Sequence, residues 1–188
     1  MIELKNHYFL LRHGQTTWNH KDLCYPTDSM ISVGLKSEGK RQIRVAAAIL
    51  GEKKIDLIFS SDFKRIKQTS EIVSKKLKLP IRFDKRLRDL NLGIYHGGPK
   101  ANYIHDLPLS VRFQKRPKNG ESWNDLKRRT KDFLHGVERK FQGKRILVVG
   151  HGDPLWLLEG IIKGLDKVGL MRIYNKHYIR KGELKKIN

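Results

Sequence analysis

Leu10-Leu11-Arg12-His13-Gly14-Gln15-Thr16 is the stretch on which the fold turns. Tyr8 to Leu11 is an apolar run that stops at a cation, an imidazole and a glycine. This pattern predicts a buried strand from Asn6 to Arg12 that empties into a tight turn. In open α/β sheets, ligands bind just outside the carboxyl ends of the strands. Arg12 offers a planar fork suited to phosphate oxygens. His13 could act as a nucleophile, a base or a metal ligand. Taken alone, a strand-ending Arg-His pair is more often solvated or ion-paired, so the reading depends on partners elsewhere.

One partner stands far along the chain. Arg145-Ile146-Leu147-Val148-Val149-Gly150 is the clearest buried strand, and it ends in His151-Gly152-Asp153-Pro154. Two apolar strands therefore end in His-Gly. Parallel strands present their carboxyl ends on one edge, so as neighbours they would face His13 and His151 across one pocket. The glycines allow sharp turns and close approach of a ligand.

The stretches between alternate in the same way. Ser37 to Leu50 predicts a helix, with Ile43, Ala46, Ala47 and Leu50 at helical spacing, Ser37 as its cap and Gly51 as its end. Asp56 to Ser61 reads as a strand, Asp62 to Leu77 as a helix and Ile81 to Phe83 as a short strand. Glu121 to Phe141 reads as a long helix. Asp153 as cap and Pro154 at the first position open another, running to Lys163. The tail, Val168 to Tyr174 and Tyr178 to Ile187, suggests one or two late strands. Thr16 to Gly34 reads as a helical turn and then a long surface loop. Such alternation predicts an α/β fold: a three-layer αβα sandwich around a mostly parallel central sheet, in a single domain over residues 1–188.

Composition narrows the partners. There are 40 Lys and Arg against 19 Asp and Glu, a formal net charge of +21. That favours anions, among them phosphorylated metabolites, nucleic acid and acidic membrane surfaces. The cations are dispersed rather than gathered in an arm, which disfavours nucleic acid. The single cysteine, Cys24, excludes an internal disulfide framework and fits a reducing compartment. No apolar run has the length of a signal peptide or a membrane span, so the expected location is the cytoplasm. The basic segment Arg112 to Lys118 reads as an exposed cover, and Lys115 and Arg116 in it as candidates to attract substrates with several phosphates.

On these motifs the chain resembles the histidine phosphatase superfamily, also called phosphoglycerate-mutase-like. Arg12-His13-Gly14 looks like its signature, continued by Gln15-Thr16-Thr17-Trp18-Asn19. Leu35 to Gln42 resembles the segment opening the next helix. Ser60 to Glu71 resembles the block with a second phosphate-binding arginine, here Arg65. Leu87-Arg88-Asp89-Leu90-Asn91-Leu92-Gly93 resembles the block bearing the acid, and Val148 to Gly152 the block with the second histidine. Gly120-Glu121-Ser122 matches a helix-opening motif.

The resemblance implies phosphoryl transfer through a phosphohistidine on His13. Arg12, Arg65 and His151 would hold the phosphoryl oxygens, His151 stabilising the group in transfer, and Asn19 would add a hydrogen bond. Neither metal nor other cofactor is implied, because the arginines and His151 supply the positive charge. Asp89 stands where the phosphatase and mutase branch usually has Glu, and is the expected proton donor. Asp153 is its rival, and Glu121 reads better as a helix-start acid. Two departures touch the substrate pocket. Tyr95-His96-Gly97 replaces a common Trp-Glu-Gly, and Lys21 to Val33 lacks the usual Gln-Gly pattern.

The expectation is a metal-independent phosphomonoesterase for a small phosphorylated metabolite. A phosphoglycerate mutase is the alternative, disfavoured because mutases generally carry a longer insertion after the acid block. A third reading is a basic module, catalytically vestigial, that binds nucleic acid or acidic partners. The intact Arg12, His13, Arg65 and His151 argue against it.

Overall fold

A computed structural model describes residues 3–18 and 22–188. In chain order the elements are β1 (His7–Arg12), α1 (Ser29–Ser32), α2 (Ser37–Gly51), β2 (Leu57–Ser60), α3 (Lys64–Leu77), β3 (Ile81–Phe83), α4 (Lys100–Asp106), α5 (Trp123–Lys140), β4 (Arg145–Gly150), α6 (Gly152–Ile162), α7 (Lys167–Lys176) and β5 (Leu184–Lys186). The sheet order is β3-β2-β4-β1-β5. All neighbours run parallel except β5, which is antiparallel to β1.

The alternation of side chains along β1 explains the layers. Tyr8 and Leu10 face one side, where they join Ile146 and Val148 of β4, Phe133, Leu134 and Val137 of α5, and Leu155 and Leu158 of α6. Phe9 and Leu11 face the other, with Leu147, Val149 and Ile58, against Ile43, Ala46, Ala47 and Leu50 of α2 and Ile66 and Val73 of α3. Both faces of the central strands are thus covered, as their unbroken apolar runs require. The expected three-layer αβα arrangement is present. No helix among the described residues is long and apolar enough to cross a membrane.

Several boundaries differ from the sequence-based expectation, each for a physical reason. Val168 to Tyr174 is helical, not a strand. Asp166 caps α7 by accepting from the Gly169 N–H at 2.8 Å, and Leu170 and Ile173, three residues apart, turn one face into an aromatic cluster. Only the final segment, 184–186, joins the sheet. Helix α2 starts at Ser37 with Lys36 as its cap residue, so Ser37 lies inside the helix. Ser122, not Glu121, opens α5, in a capping box with Asp125. The cap residue of α6 is His151 itself, and Asp153 lies in the first turn with no capping bond.

Candidate active site

Strands β1 and β4 are adjacent and in a register that sets Arg12 beside Gly150. The backbone N–H of His13 donates to Gly150 O at 3.2 Å, so the two His-Gly turns leave the sheet together. The imidazoles of His13 and His151 lie edge to face, their centroids 5.7 Å apart. Both are buried. The first turn needs glycine for space rather than for its dihedrals. A Cβ on Gly14 would sit 2.4 Å from Gly39 O, and one on Gly39 would sit 2.0 Å from Gln15 O. The His13-Gly14 turn and the first turn of α2 therefore interlock backbone to backbone. Gly39 lies in a stretch the sequence marked only as a helix opening.

His13 Nδ1 lies 2.8 Å from Gly14 O. A carbonyl can only accept, so Nδ1 carries the proton and Nε2 presents its lone pair. Burial first, and then repulsion from His151, Arg65 and Arg12, push the His13 pKa well below its ordinary value. The neutral, nucleophilic form is the one this environment favours.

The second histidine is held by three groups. His151 Nε2 is 3.1 Å from Ser61 Oγ, while Nδ1 is 3.2 Å from Arg65 Nη2 and 3.3 Å from Asp89 Oδ2. Ser61 follows β2 in the layer beside β4, its N–H donating to Val149 O. Burial, followed by Arg65, Arg12 and Arg129, also pushes the His151 pKa well down. His151 thus offers a neutral ring that hydrogen-bonds, and the fixed positive charge comes from the arginines.

Arg65 is buried almost completely, with 1% of its surface exposed. Its guanidinium donates to Ser29 O at 3.2 Å and to Asp89 Oδ2 at 3.2 Å, and lies 4.5 Å from the centroid of Tyr25 and 5.1 Å from that of Phe63. A cation so deep requires such partners. This settles the ambiguity of a single Arg on a Lys-rich helix: it faces inward. Arg12 donates from Nη1 to Ile179 O at 2.9 Å and lies 5.4 Å from the Tyr178 ring centroid. Arg12 Nε and Arg65 Nε are buried donors with no hydrogen-bond partner among the described residues. Leaving such a donor unmet costs about 1–3 kcal/mol.

The three carboxylates separate by contact. Asp89 alone touches both Arg65 and His151. Its backbone is held by Arg129, which donates to the carbonyls of Arg86, Arg88 and Asp89 and is paired with Glu121 at 2.8 Å. Glu121 is therefore a brace behind Asp89, not a helix-start acid. Asp153 accepts from Tyr178 Oη at 2.6 Å. Burial, then the nearby Asp89 carboxylate, raise its pKa. A Cβ on Gly152 would lie 2.1 Å from Tyr178 Oη, so the second His-Gly turn stays small to admit this tyrosine. Tyr178 links Asp153 to Arg12, and no sequence signal pointed to it or to Ser61.

Beyond Asp89 opens a cavity of about 470 Å³. Tyr25, Met30, Phe63 and Leu90 give it apolar walls, and Arg65 and Asp89 add charged groups to its lining. His96, one of the departures from the family pattern, is part of this wall. It is tied to the loop before α1 by Nδ1 and Tyr25 O, 2.9 Å apart. In the basic segment expected as an exposed cover, Lys115, Arg116 and Lys118 are exposed, but not all of it is. Arg112 is buried over Tyr103, donating to Leu107 O, and Arg116 pairs with Asp125. Asn19 lies outside the described residues.

Comparison with known proteins gives concordant results. The family model described as histidine phosphatase superfamily (branch 1) matches residues 8–178. The chain is 32% identical over 173 residues to the probable phosphoglycerate mutase GpmB of Shigella boydii serotype 18, covering 88% of this chain and 78% of that protein. Among solved structures it is similar to a mycobacterial glucosyl-3-phosphoglycerate phosphatase in complex with VO3, with a TM-score of 0.80, 25% identity, and 96% and 90% of the two chains covered. A putative alpha-ribazole-5'-P phosphatase from Escherichia coli K-12 shares the fold, with a TM-score of 0.79, 20% identity, and 97% and 90% covered.

Proposed function

The chain belongs to branch 1 of the histidine phosphatase superfamily, and from that premise we propose that it is a metal-independent phosphomonoesterase acting on a small phosphorylated metabolite. The observation that carries the proposal is the convergence on one point of a neutral His13, two arginines with unmet buried donors, and His151. Nε2 of His13 attacks phosphorus as the bond to the leaving oxygen breaks. Arg12 and Arg65 hold the equatorial oxygens in forks, and the His151 ring adds a hydrogen bond. Positioning and charge stabilisation of this kind supply most of the catalysis in phosphoryl transfer. Asp89, beside both Arg65 and His151, gives the leaving oxygen its proton. Water then attacks the phosphohistidine, losing its proton to Asp89, and returns free His13 and inorganic phosphate.

The cavity supports a small organic group in size and in its mixed apolar and charged lining. Phosphoglycerate mutation is the second reading, favoured by the similarity to the probable mutase. Hydrolysis is preferred because only the short helix α4 and turns lie between Gly93–Tyr95 and α5, where mutases generally carry a longer insertion.

Phosphate release from a panel of phosphomonoesters, with a chelator present and beside His13→Ala, tests the proposal. Release by the wild type and its loss in the variant are expected. Release that needs added metal, or that survives in His13→Ala, refutes the phosphohistidine route. Interconversion of phosphoglycerates primed by 2,3-bisphosphoglycerate, faster than hydrolysis, would select the mutase.

A further inference from the structure

The two stretches in which the chain departs from the family pattern meet at Tyr25. The loop before α1 is stitched backbone to backbone to the segment after Gly93–Tyr95. Cys24 N–H donates to Gly98 O at 2.9 Å, Gly97 N–H to Tyr25 O at 3.1 Å and Lys100 N–H to Asp22 O at 2.7 Å. His96 Nδ1 donates to the same Tyr25 carbonyl at 2.9 Å. From this anchored backbone the Tyr25 side chain reaches the phosphoryl-binding residues. Its ring lies 4.5 Å from the Arg65 guanidinium carbon and stacks on Trp18, with centroids 5.8 Å apart. Its hydroxyl is 3.2 Å from Oγ1 of the buried Thr16, two residues past Gly14. One side chain thus joins Arg65, the segment that follows His13 and the cavity wall.

Arg65 is otherwise held by long hydrogen bonds. Those to Ser29 O and Asp89 Oδ2 are both 3.2 Å, and its Nε has no partner among the described residues. Charge-assisted bonds from arginine are ordinarily about 2.7–2.9 Å. Arg88 meets Asp62 at 2.7 and 2.5 Å, and Arg129 meets Glu121 at 2.8 Å. Two long single bonds fix the orientation of a planar guanidinium poorly. An aromatic ring at 4.5 Å fixes it by attraction to the cation and uses up no N–H donor. The donors remain for phosphoryl oxygens.

We propose that Tyr25 is a positioning residue for phosphoryl transfer: its ring sets the orientation of the Arg65 guanidinium, and its hydroxyl bond to Thr16 ties that ring to the segment carrying His13. This rests on the phosphatase reading for its rate measurements and not for its binding measurements. Because Tyr25 acts through Arg65, its effect follows the phosphoryl group and not the leaving group. A residue that only walled the cavity would do the reverse, altering KM according to the leaving group and leaving the affinity for inorganic phosphate unchanged.

Tyr25→Leu, which removes the ring, is expected to weaken binding of inorganic phosphate to His13→Ala protein about tenfold. In the active enzyme it is expected to lower kcat/KM about tenfold to thirtyfold, alike for p-nitrophenyl phosphate and glycerol 2-phosphate. Tyr25→Phe keeps the ring and loses only the tie to Thr16, so it is expected to fall between the wild type and Tyr25→Leu. In an Arg65→Gln background, Tyr25→Leu is expected to cost less than twofold in kcat/KM. Phosphate affinity within twofold of the parent overturns the proposal. So does a loss confined to one substrate, a loss in Tyr25→Phe as large as in Tyr25→Leu, or an equal loss with and without Arg65. Should the urea midpoint show that Tyr25→Leu folds poorly, pentafluorophenylalanine at position 25 keeps the shape of phenylalanine but loses its attraction for a cation. It is expected to reproduce the Tyr25→Leu loss, and activity at the Tyr25→Phe level counts against the proposal. A wild type that releases no phosphate would sink the hydrolytic reading and leave Tyr25 to be decided by phosphate binding.

Discussion

Gly39→Ala tests whether the interlock between α2 and the His13-Gly14 turn governs catalysis. On an ordinary helix, replacing Gly by Ala stabilises by about 1 kcal/mol. Here the added Cβ would lie 2.0 Å from Gln15 O and 2.7 Å from Gln15 N, where contacts below 3.0 Å are essentially never seen. Relief needs roughly 1 Å of separation, and the atoms to be moved are backbone. Gln15 has little freedom to give way alone, since its carbonyl accepts from Lys36 N–H and its N–H donates to Gln42 Oε1 at 3.0 Å. The shift passes to His13, two residues back. A misplacement of about 1 Å at a reacting group costs about a hundredfold in rate. Overpacking of this kind destabilises by about 1–3 kcal/mol, which outweighs the helix propensity gain. The expected result is a kcat on p-nitrophenyl phosphate about a hundredfold down, in protein that is still folded in a urea titration but with a lowered midpoint. A Gly39→Ala enzyme with wild-type kcat, or one made more stable, would refute the steric argument.

Two further outcomes follow from the electrostatics. His13 and His151 are neutral in the folded chain well below pH 6.5, where the unfolded chain takes protons on both. The unfolded state thus binds more protons, so this stability is fully present above pH 6.5 and falls as pH drops beneath it. The slope is at most about 1.4 kcal/mol per pH unit for each histidine. Urea midpoints between pH 7.5 and 5.5 measure it, and a flat series counts against buried neutral rings. Asp89→Asn is expected to slow hydrolysis of an alkyl phosphate about 10²–10⁴-fold. The loss should be much smaller with p-nitrophenyl phosphate, whose leaving group needs no proton. Asp153→Asn is expected to affect both substrates alike, and the opposite pattern would move the proton donor to Asp153.

The sheet and the two histidine turns were legible because each turn directly follows an apolar strand. The apolar runs before His13 and His151 end at the same sheet edge, and the parallel pairing of β1 with β4 joins them. Arg65 could be placed only by family resemblance, because local pattern leaves it on a lysine-rich helix. Asp153 shows why the rest was hidden. Asp before Pro reads as a local cap, but the residue that engages it, Tyr178, arrives from the far side of α7. Glu121 was misread in the same way, since Arg129 draws it back towards Asp89. Such roles depend on contacts between distant segments, which short-range spacing does not encode. The region Val168 to Tyr174 failed differently. Its apolar residues suit a strand or a helix, and the cap at Asp166 and the aromatic cluster it meets decide for the helix.

The place of β1 in the sheet has a consequence for how the molecule is made. Within the described sheet this strand comes earliest in sequence, yet the strands it pairs with, β4 and β5, come latest. Until Arg145–Gly150 has been translated, the apolar residues Tyr8 to Leu11 have no strand to lie against, and both edges of β1 stay open. A nascent chain in this condition is prone to wrong pairing and in need of shielding. Translation order also withholds these contacts: His13 has no His151 opposite it, and Arg12 no Ile179 carbonyl to receive it, until those distant residues have been made.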